Sequence, residues 1–154
     1  LYRYHSRTPD WIFGFSTSFR YKKWTVGTSL RANVGNYVYN GMAMNTGAFG
    51  TVSYNAYQLN NLNRSYLSTG FTSRQYFSDY YVENASFLKL DNLSLSYNFG
   101  NIGKYISGLT LSALVQNVFT ITKYTGVDPE VPNGMDSSFY PRPRTYSLSI
   151  GLQF

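Results

Sequence analysis

Cysteine is absent from the 154 residues, so neither a disulfide framework nor a thiolate metal site can form. Histidine occurs once, at His5. A hydrolytic triad or a histidine-rich metal site therefore cannot be assembled from this chain alone, and His5 is expected to be an exposed loop residue. Charged residues make up only 13 % of the chain, about half the share usual in water-soluble domains. No run of about 18 apolar residues exists, which excludes a membrane-spanning helix. A basic-then-apolar leader is also missing after Leu1, so an exported protein of this kind is expected to have further polypeptide upstream. The net charge of +6 comes from 13 basic residues scattered between Arg3 and Arg144, mostly at turns and segment ends. Nucleic-acid binding wants such residues clustered on one face, and it is not expected here.

What the chain has in quantity is aromatic side chains, 16 Tyr and 11 Phe, placed in alternation. In 11–20, Trp11, Phe13, Phe15, Thr17 and Phe19 share one face of a strand, with Ile12, Gly14, Ser16, Ser18 and Arg20 opposite. The pattern repeats in 24–39 (Val26, Leu30), 87–99 (Leu93, Leu95, Tyr97), 109–121 (Leu111, Ala113, Val115) and 144–154 (Tyr146, Leu148, Ile150). Leu88 and Leu90 stand in the opposite phase to Leu93 and Leu95, which a bulge near Asp91 would reconcile.

None of the five apolar faces carries a charge, and each segment is at least ten residues long. Strands in globular sheets are typically about 5–6 residues, whereas a tilted membrane strand needs about 9–11. The reading is all-β: a transmembrane antiparallel β-barrel segment, with Phe13, Phe15, Val26, Leu30, Leu95, Leu111, Leu148 and Ile150 facing lipid. The mean hydropathy of −0.29 fits, because inward polar residues offset outward apolar ones. Five strands are too few to close, so they are expected to be part of a larger barrel.

Tyr21–Lys23 reads as a short and Gly100–Gly108 as a medium connection at one end, and 40–85 and 122–143 as long loops at the other. Barrels of this class put short turns in the periplasm and long loops outside. Tyr57 to Leu67 has the spacing of a short helix.

Three blocks carry a family resemblance. Asn84–Tyr97 reads NASFLKLDNLSLSY, Gln116–Glu130 reads QNVFTITKYTGVDPE, and Tyr140–Tyr146 reads YPRPRTY. They resemble, in order, the ASFLKLDNLSLSY, QNLFTITKYTGxDPE and YPRPRTY blocks of SusC/RagA-like TonB-dependent transporters. Val118 replaces a Leu, and residues 1–83 carry no such block. The resemblance implies the last five strands of a 22-stranded barrel with an upstream plug domain, in the outer membrane of a Bacteroidetes-type bacterium. It implies import of glycans or peptides, driven by TonB acting on the missing N-terminal part, with a SusD-like surface lipoprotein as partner. No cofactor is expected. The alternatives are an outer-membrane barrel enzyme and a soluble glycan-binding β-sandwich.

On that reading Arg31, Asn33, Gln116 and Asn117 are candidates for the lumen wall, touching substrate or plug. Tyr54, Tyr57, Tyr66, Tyr76, Tyr80 and Tyr81 are candidates for contact with partner or substrate, since Tyr joins an apolar ring to a polar tip. Phe154 is expected to act in barrel assembly and at the closing seam. Asp128, Glu130 and Asp136 are weak calcium candidates: oxygen ligands suit the ion, but their spacing does not match an EF-hand.

Overall fold

The computed structural model describes residues 5–55, 58–59, 61–137 and 140–154. Among these the strands are β1 (Trp11–Tyr21), β2 (Trp24–Val34), β3 (Tyr37–Tyr39), β4 (Ser53–Asn55), β5 (Gln58–Leu59), β6 (Val82–Asn84), β7 (Phe87–Ile102), β8 (Ile106–Thr122) and β9 (Thr145–Gln153). Two short helices, α1 (Gly41–Thr46) and α2 (Tyr66–Thr69), lie between β3 and β6. Among the described residues no helix is long and apolar enough to cross a membrane. The chain divides into two units. A sheet unit comprises Trp11–Asn33, Phe87–Thr122 and Arg142–Phe154; a loop unit comprises the described parts of Leu1–Asp10, Val34–Ser86 and Lys123–Pro141.

The sheet unit is a single antiparallel layer in the order β1-β2-β7-β8-β9, a meander in which every strand lies beside its neighbour in the sheet unit. Period-two alternation fixes the register, because a slip of one residue would turn each apolar set to the wrong face. Rows cross the sheet accordingly. Val26, Leu95, Ala113 and Leu148 form one, and Trp24, Tyr97, Leu111 and Ile150 another. Between them runs Thr25, Ser96, Ser112 and Ser149 on the opposite face.

The phase change near Asp91 is resolved by a bulge. Leu90 pairs with Leu30 and Phe119, Asn92 pairs with Ser29 and Gln116, and Asp91 is left between them. Leu88 and Leu90 thereby join Leu93 and Leu95 on the apolar face. On β8 the irregularity falls at Asn117, with φ +54°.

Several boundaries differ from expectation. β2 stops at Val34 rather than at 39, because Gly35 takes φ +87° and its missing Cβ leaves room for the Asp10 carboxylate. The connection expected over Gly100–Gly108 shrinks to Gly103–Tyr105: β7 continues past a register shift at Gly100 to Ile102, and β8 starts at Ile106. The helix expected over Tyr57–Leu67 is replaced by β5 and by α2, which ends at Gly70 in left-handed conformation, φ +61°. Tyr57 itself lies outside the described residues.

Far from being irregular throughout, the loop unit has small cores of its own. β3 pairs with β6, Tyr37 opposite Asn84 and Tyr39 opposite Val82. The Asn40 side chain caps α1 by accepting from the Ala43 N–H at 2.9 Å. Val38, Ala85 and Tyr124 form one buried cluster; Ala43, Met44 and Tyr81 form another. The 122–143 segment is tied to β3 through Tyr39 N–H to Gly134 O and Asp136 N–H to Tyr39 O, both 2.9 Å.

Candidate functional site

The sheet presents two chemically distinct faces. On one, large apolar side chains are uncovered: Trp11 is 66 % exposed, Phe15 60 %, Leu148 73 % and Ile150 66 %. Such an area in water would be an association or aggregation surface. The other face carries mostly Ser, Thr, Asn and Gln, with Ile12 and Leu114 among them, and three of the four lumen-wall candidates lie there. Arg31 and Asp91 form a bidentate pair, Nε to Oδ2 2.8 Å and Nη2 to Oδ1 2.9 Å. The bulge is what turns Asp91 towards Arg31, and the Arg31 guanidinium also lies 6.0 Å from the Phe87 ring centroid. Asn33 pairs with Phe87 in the ladder. Gln116 sits in the polar row with Ser29, Asn92 and Thr145. Asn117 is occupied structurally: its Nδ2 donates to the Arg142 carbonyl at 2.6 Å, and its own carbonyl accepts from Arg144 Nε at 3.4 Å. It clamps the approach to β9.

Glu83 is the hub of the loop unit. Its Oε1 accepts from Asn40 Nδ2 (2.9 Å) and Thr125 Oγ1 (2.8 Å), and its Oε2 from the Thr125 N–H (2.8 Å). Beside it is a cleft of about 420 Å³ lined by Ala43, Asn63, Ser65, Tyr80, Tyr81, Glu83, Asn84, Lys123 and Thr125. An adjoining recess of about 670 Å³ shares Asn63, Ser65, Tyr80 and Thr125 and adds Arg64 and Leu67. The Ser65 and Tyr81 hydroxyls are buried without a hydrogen-bond partner among the described residues. Both lie 3.1 Å from where a Cβ on Gly47 would stand, so only a glycine fits beside them. A buried hydroxyl left unpaired is costly.

The tyrosine candidates separate. Tyr81 is 1 % exposed and is a core residue, its phenol pKa raised by burial and then by Tyr80 and Tyr39. Tyr80 is half exposed at the cleft and packs edge-on against Tyr81 with centroids 5.1 Å apart. Tyr66 packs against Phe49 at 6.1 Å. Tyr76 is exposed and accepts a 3.3 Å bond from Arg74. The Tyr54 side chain, like Tyr57, lies outside the described residues.

The acidic trio has local uses. Asp128 Oδ1 accepts from the Glu130 N–H at 2.9 Å, and buried Asp136 takes the Tyr124 hydroxyl at 2.7 Å. Among the described residues no three His, Cys, Asp or Glu side chains gather to hold a metal. Burial, then the bond to Asp136 and the charges of Asp136 and Glu83, drive the Tyr124 pKa far upward, so the phenol remains a donor. His5 is exposed, with its ring stacked on Tyr37 at 3.6 Å. Phe154 lies one residue beyond β9 and is exposed.

No family model matches the chain. It is, however, 38 % identical over 161 residues to the TonB-dependent receptor SusC of Bacteroides thetaiotaomicron, an alignment covering 99 % of this chain. The chain belongs to the SusC-like TonB-dependent receptors. It is also 29 % identical over 168 residues to TonB-dependent receptor P3 of Formosa agariphila, covering 96 % of this chain. The SusC-like sheet superimposes on solved structures of the RagAB peptide importer. The closed-closed state gives a TM-score of 0.78 at 27 % identity over 99 % of this chain and 18 % of the other. A RagAB peptide transporter structure gives 0.80 at 28 % identity over 97 % and 18 %. The chain spans about one sixth of the length of its curated relatives, 16 % of both SusC and P3. The five-stranded antiparallel sheet is thus a piece of a TonB-dependent receptor barrel.

Alternation puts Arg31, Asn33 and Gln116 on the polar face and does not put Asn117 there. The Arg31–Asp91 pair, the Glu83 hub and the buried Ser65 and Tyr81 hydroxyls leave no such pattern. Each depends on residues more than a dozen positions apart, and no local pattern signals them.

Proposed function

We propose that this chain forms the C-terminal part of the barrel wall, with two outer loops, of a TonB-dependent importer in the outer membrane of a Bacteroidetes-type bacterium. The observation that carries this is the single-layer sheet whose one face is apolar, uncharged and uncovered over all five strands. Acyl chains cover such a face, and a charge there would cost about 2–4 kcal/mol at mid-bilayer. The Ser- and Asn-rich face then lines the lumen, where Arg31, Asn33 and Gln116 meet substrate or a plug domain. Closure of the sheet requires further strands, in a barrel of 22 by family resemblance, because an open edge in lipid leaves backbone groups unsatisfied.

The loop unit lies on the cell surface and contributes to contact with a SusD-like lipoprotein. Exposed Tyr76 and Tyr80, the latter beside the cleft, supply polar and aromatic contacts to partner or substrate. The cargo is a glycan or a peptide, the latter by analogy with the RagAB peptide importer. The mechanism is gated passage: the plug closes the lumen, cargo binds between barrel and lipoprotein, and TonB-driven movement of the plug opens a path. The chain is a transporter wall and not an enzyme.

The test is uptake by cells of the source bacterium supplied with labelled oligosaccharides and oligopeptides. Deleting the receptor gene is expected to abolish uptake of one class, as is collapsing the proton gradient. Unchanged uptake of both classes in the deletion strain contradicts the proposal.

A further inference from the structure

Eight of the 13 basic residues but only one of the seven acids lie in the sheet unit, so the chain's net charge of +6 is carried there rather than in the loop unit. The one acid, Asp91, is already engaged by Arg31. Four cations remain at the short-turn end: Arg20, Lys22 and Lys23 around the β1–β2 turn, and Lys104 in the β7–β8 turn. Asp91 is six residues along β7 from Tyr97, about 20 Å at the rise of a strand, and cannot neutralise them.

Three of these cations converge. Arg20, Lys22 and Lys23 line a recess of about 330 Å³ together with Thr25, Ser96, Asn98 and Thr110. Lys22 is held in left-handed conformation, φ +53°, at the first position of a two-residue turn, with its ammonium 5.4 Å from the Tyr21 ring centroid. Lys23 Nζ donates to the Phe99 carbonyl at 3.1 Å, which anchors it and leaves further N–H groups for a ligand. Thr25 and Ser96 share a ladder row on the polar face, opposite the one bearing Trp24, Tyr97 and Phe19.

We propose that this recess is an anion-docking site that receives the carboxylates of an acidic polypeptide segment. The proposal rests on the wall assignment above, which turns the polar face inward and away from lipid headgroups. Three cations around one turn, lining a recess of about 330 Å³, suit several carboxylates at peptide spacing better than one small anion. Thr25, Ser96 and Thr110 in the lining offer hydroxyl donors that match carboxylate acceptors. Relatives are about six times as long as this chain, so most of their polypeptide lies outside the matched part and is a source for such a segment. The docking is electrostatic and weakens with ionic strength.

The test places a photo-crosslinking residue at Lys22, and separately at Phe15, in the full-length receptor in outer membranes. Lys22 is expected to yield an adduct with a peptide rich in Asp or Glu. Adding Arg20→Gln and Lys23→Gln is expected to lower that adduct several-fold at unchanged yield of heat-modifiable barrel. Phe15 is expected to yield a lipid adduct. A lipid adduct at Phe15 with phospholipid, a neutral peptide or nothing captured at Lys22 overturns the docking site alone. So does an acidic-peptide adduct indifferent to loss of the two charges. Absence of a lipid adduct at Phe15 overturns the wall assignment, and the docking site with it.

Discussion

Asn117 combines two demands that few residues meet. Its φ of +54° costs a residue with Cβ roughly 1–2 kcal/mol, least for Asn, and its amide donates to the Arg142 carbonyl at 2.6 Å. Asn117→Ala gives up both the conformational tolerance and the hydrogen bond, for a loss of about 2 kcal/mol. Asn117→Gly keeps the backbone conformation and loses only the bond, so its loss is about 1 kcal/mol. The thermal midpoint of the heat-modifiable band of the full receptor is expected to rank wild type, Gly, Ala. Tyr124 makes a second test outside the sheet. Its pKa is raised in the folded state, so its contribution is complete below the unfolded phenol value of about 10 and is lost as pH rises through the higher folded value. Tyr124→Phe removes the donor to buried Asp136 and is expected to cost the loop unit about 1–3 kcal/mol at neutral pH. It is also expected to remove the Tyr124 share of the alkaline loss. Amide hydrogen exchange across β3 and β6, compared at pH values on either side of the unfolded value, reads both effects.

For the elements, strand patterning carries most of the information. Alternation located all five long strands, since a half-buried strand must repeat every second residue. It also required the phase change at Asp91 that the bulge provides. Alternation could not show that 40–85 contains a ladder, two short helices and buried clusters. There the order arises from contacts between distant residues such as Asn40, Glu83 and Thr125, and two- to six-residue elements leave no period to detect. Asn117 illustrates the same limit within a strand. Its amide bonds to the Arg142 carbonyl, 25 positions away, which no local pattern signals. The two faces give a direct prediction. Leu95→Lys or Leu148→Lys is expected to destabilise the receptor by about 2–4 kcal/mol in lipid vesicles, whereas Ser94→Lys or Ser147→Lys is expected to change it by less than about 1 kcal/mol. Urea titration of folding into vesicles separates the two sets.

At the scale of the molecule, charge and surface chemistry are partitioned between the units. The sheet is cationic, one layer thick and apolar on one side; the loop unit holds six of the seven acids and its own buried clusters. The uncovered apolar face suits a membrane wall better than a water-soluble sandwich, in which that face would be covered by a second layer. The decisive measurement is solvent accessibility along the strands. Because the chain has no cysteine, single cysteines can be introduced into it in the full receptor and spin-labelled in vesicles. Labels at Phe15, Leu95 and Ile150 are expected to collide with membrane-dissolved oxygen and to be shielded from a water-soluble nickel complex. Labels at Ser16, Ser94 and Ser149 are expected to lack that lipid signature. Equal accessibility of the two sets, or shielding of Phe15, Leu95 and Ile150 from both reagents, would contradict a lipid-facing barrel wall.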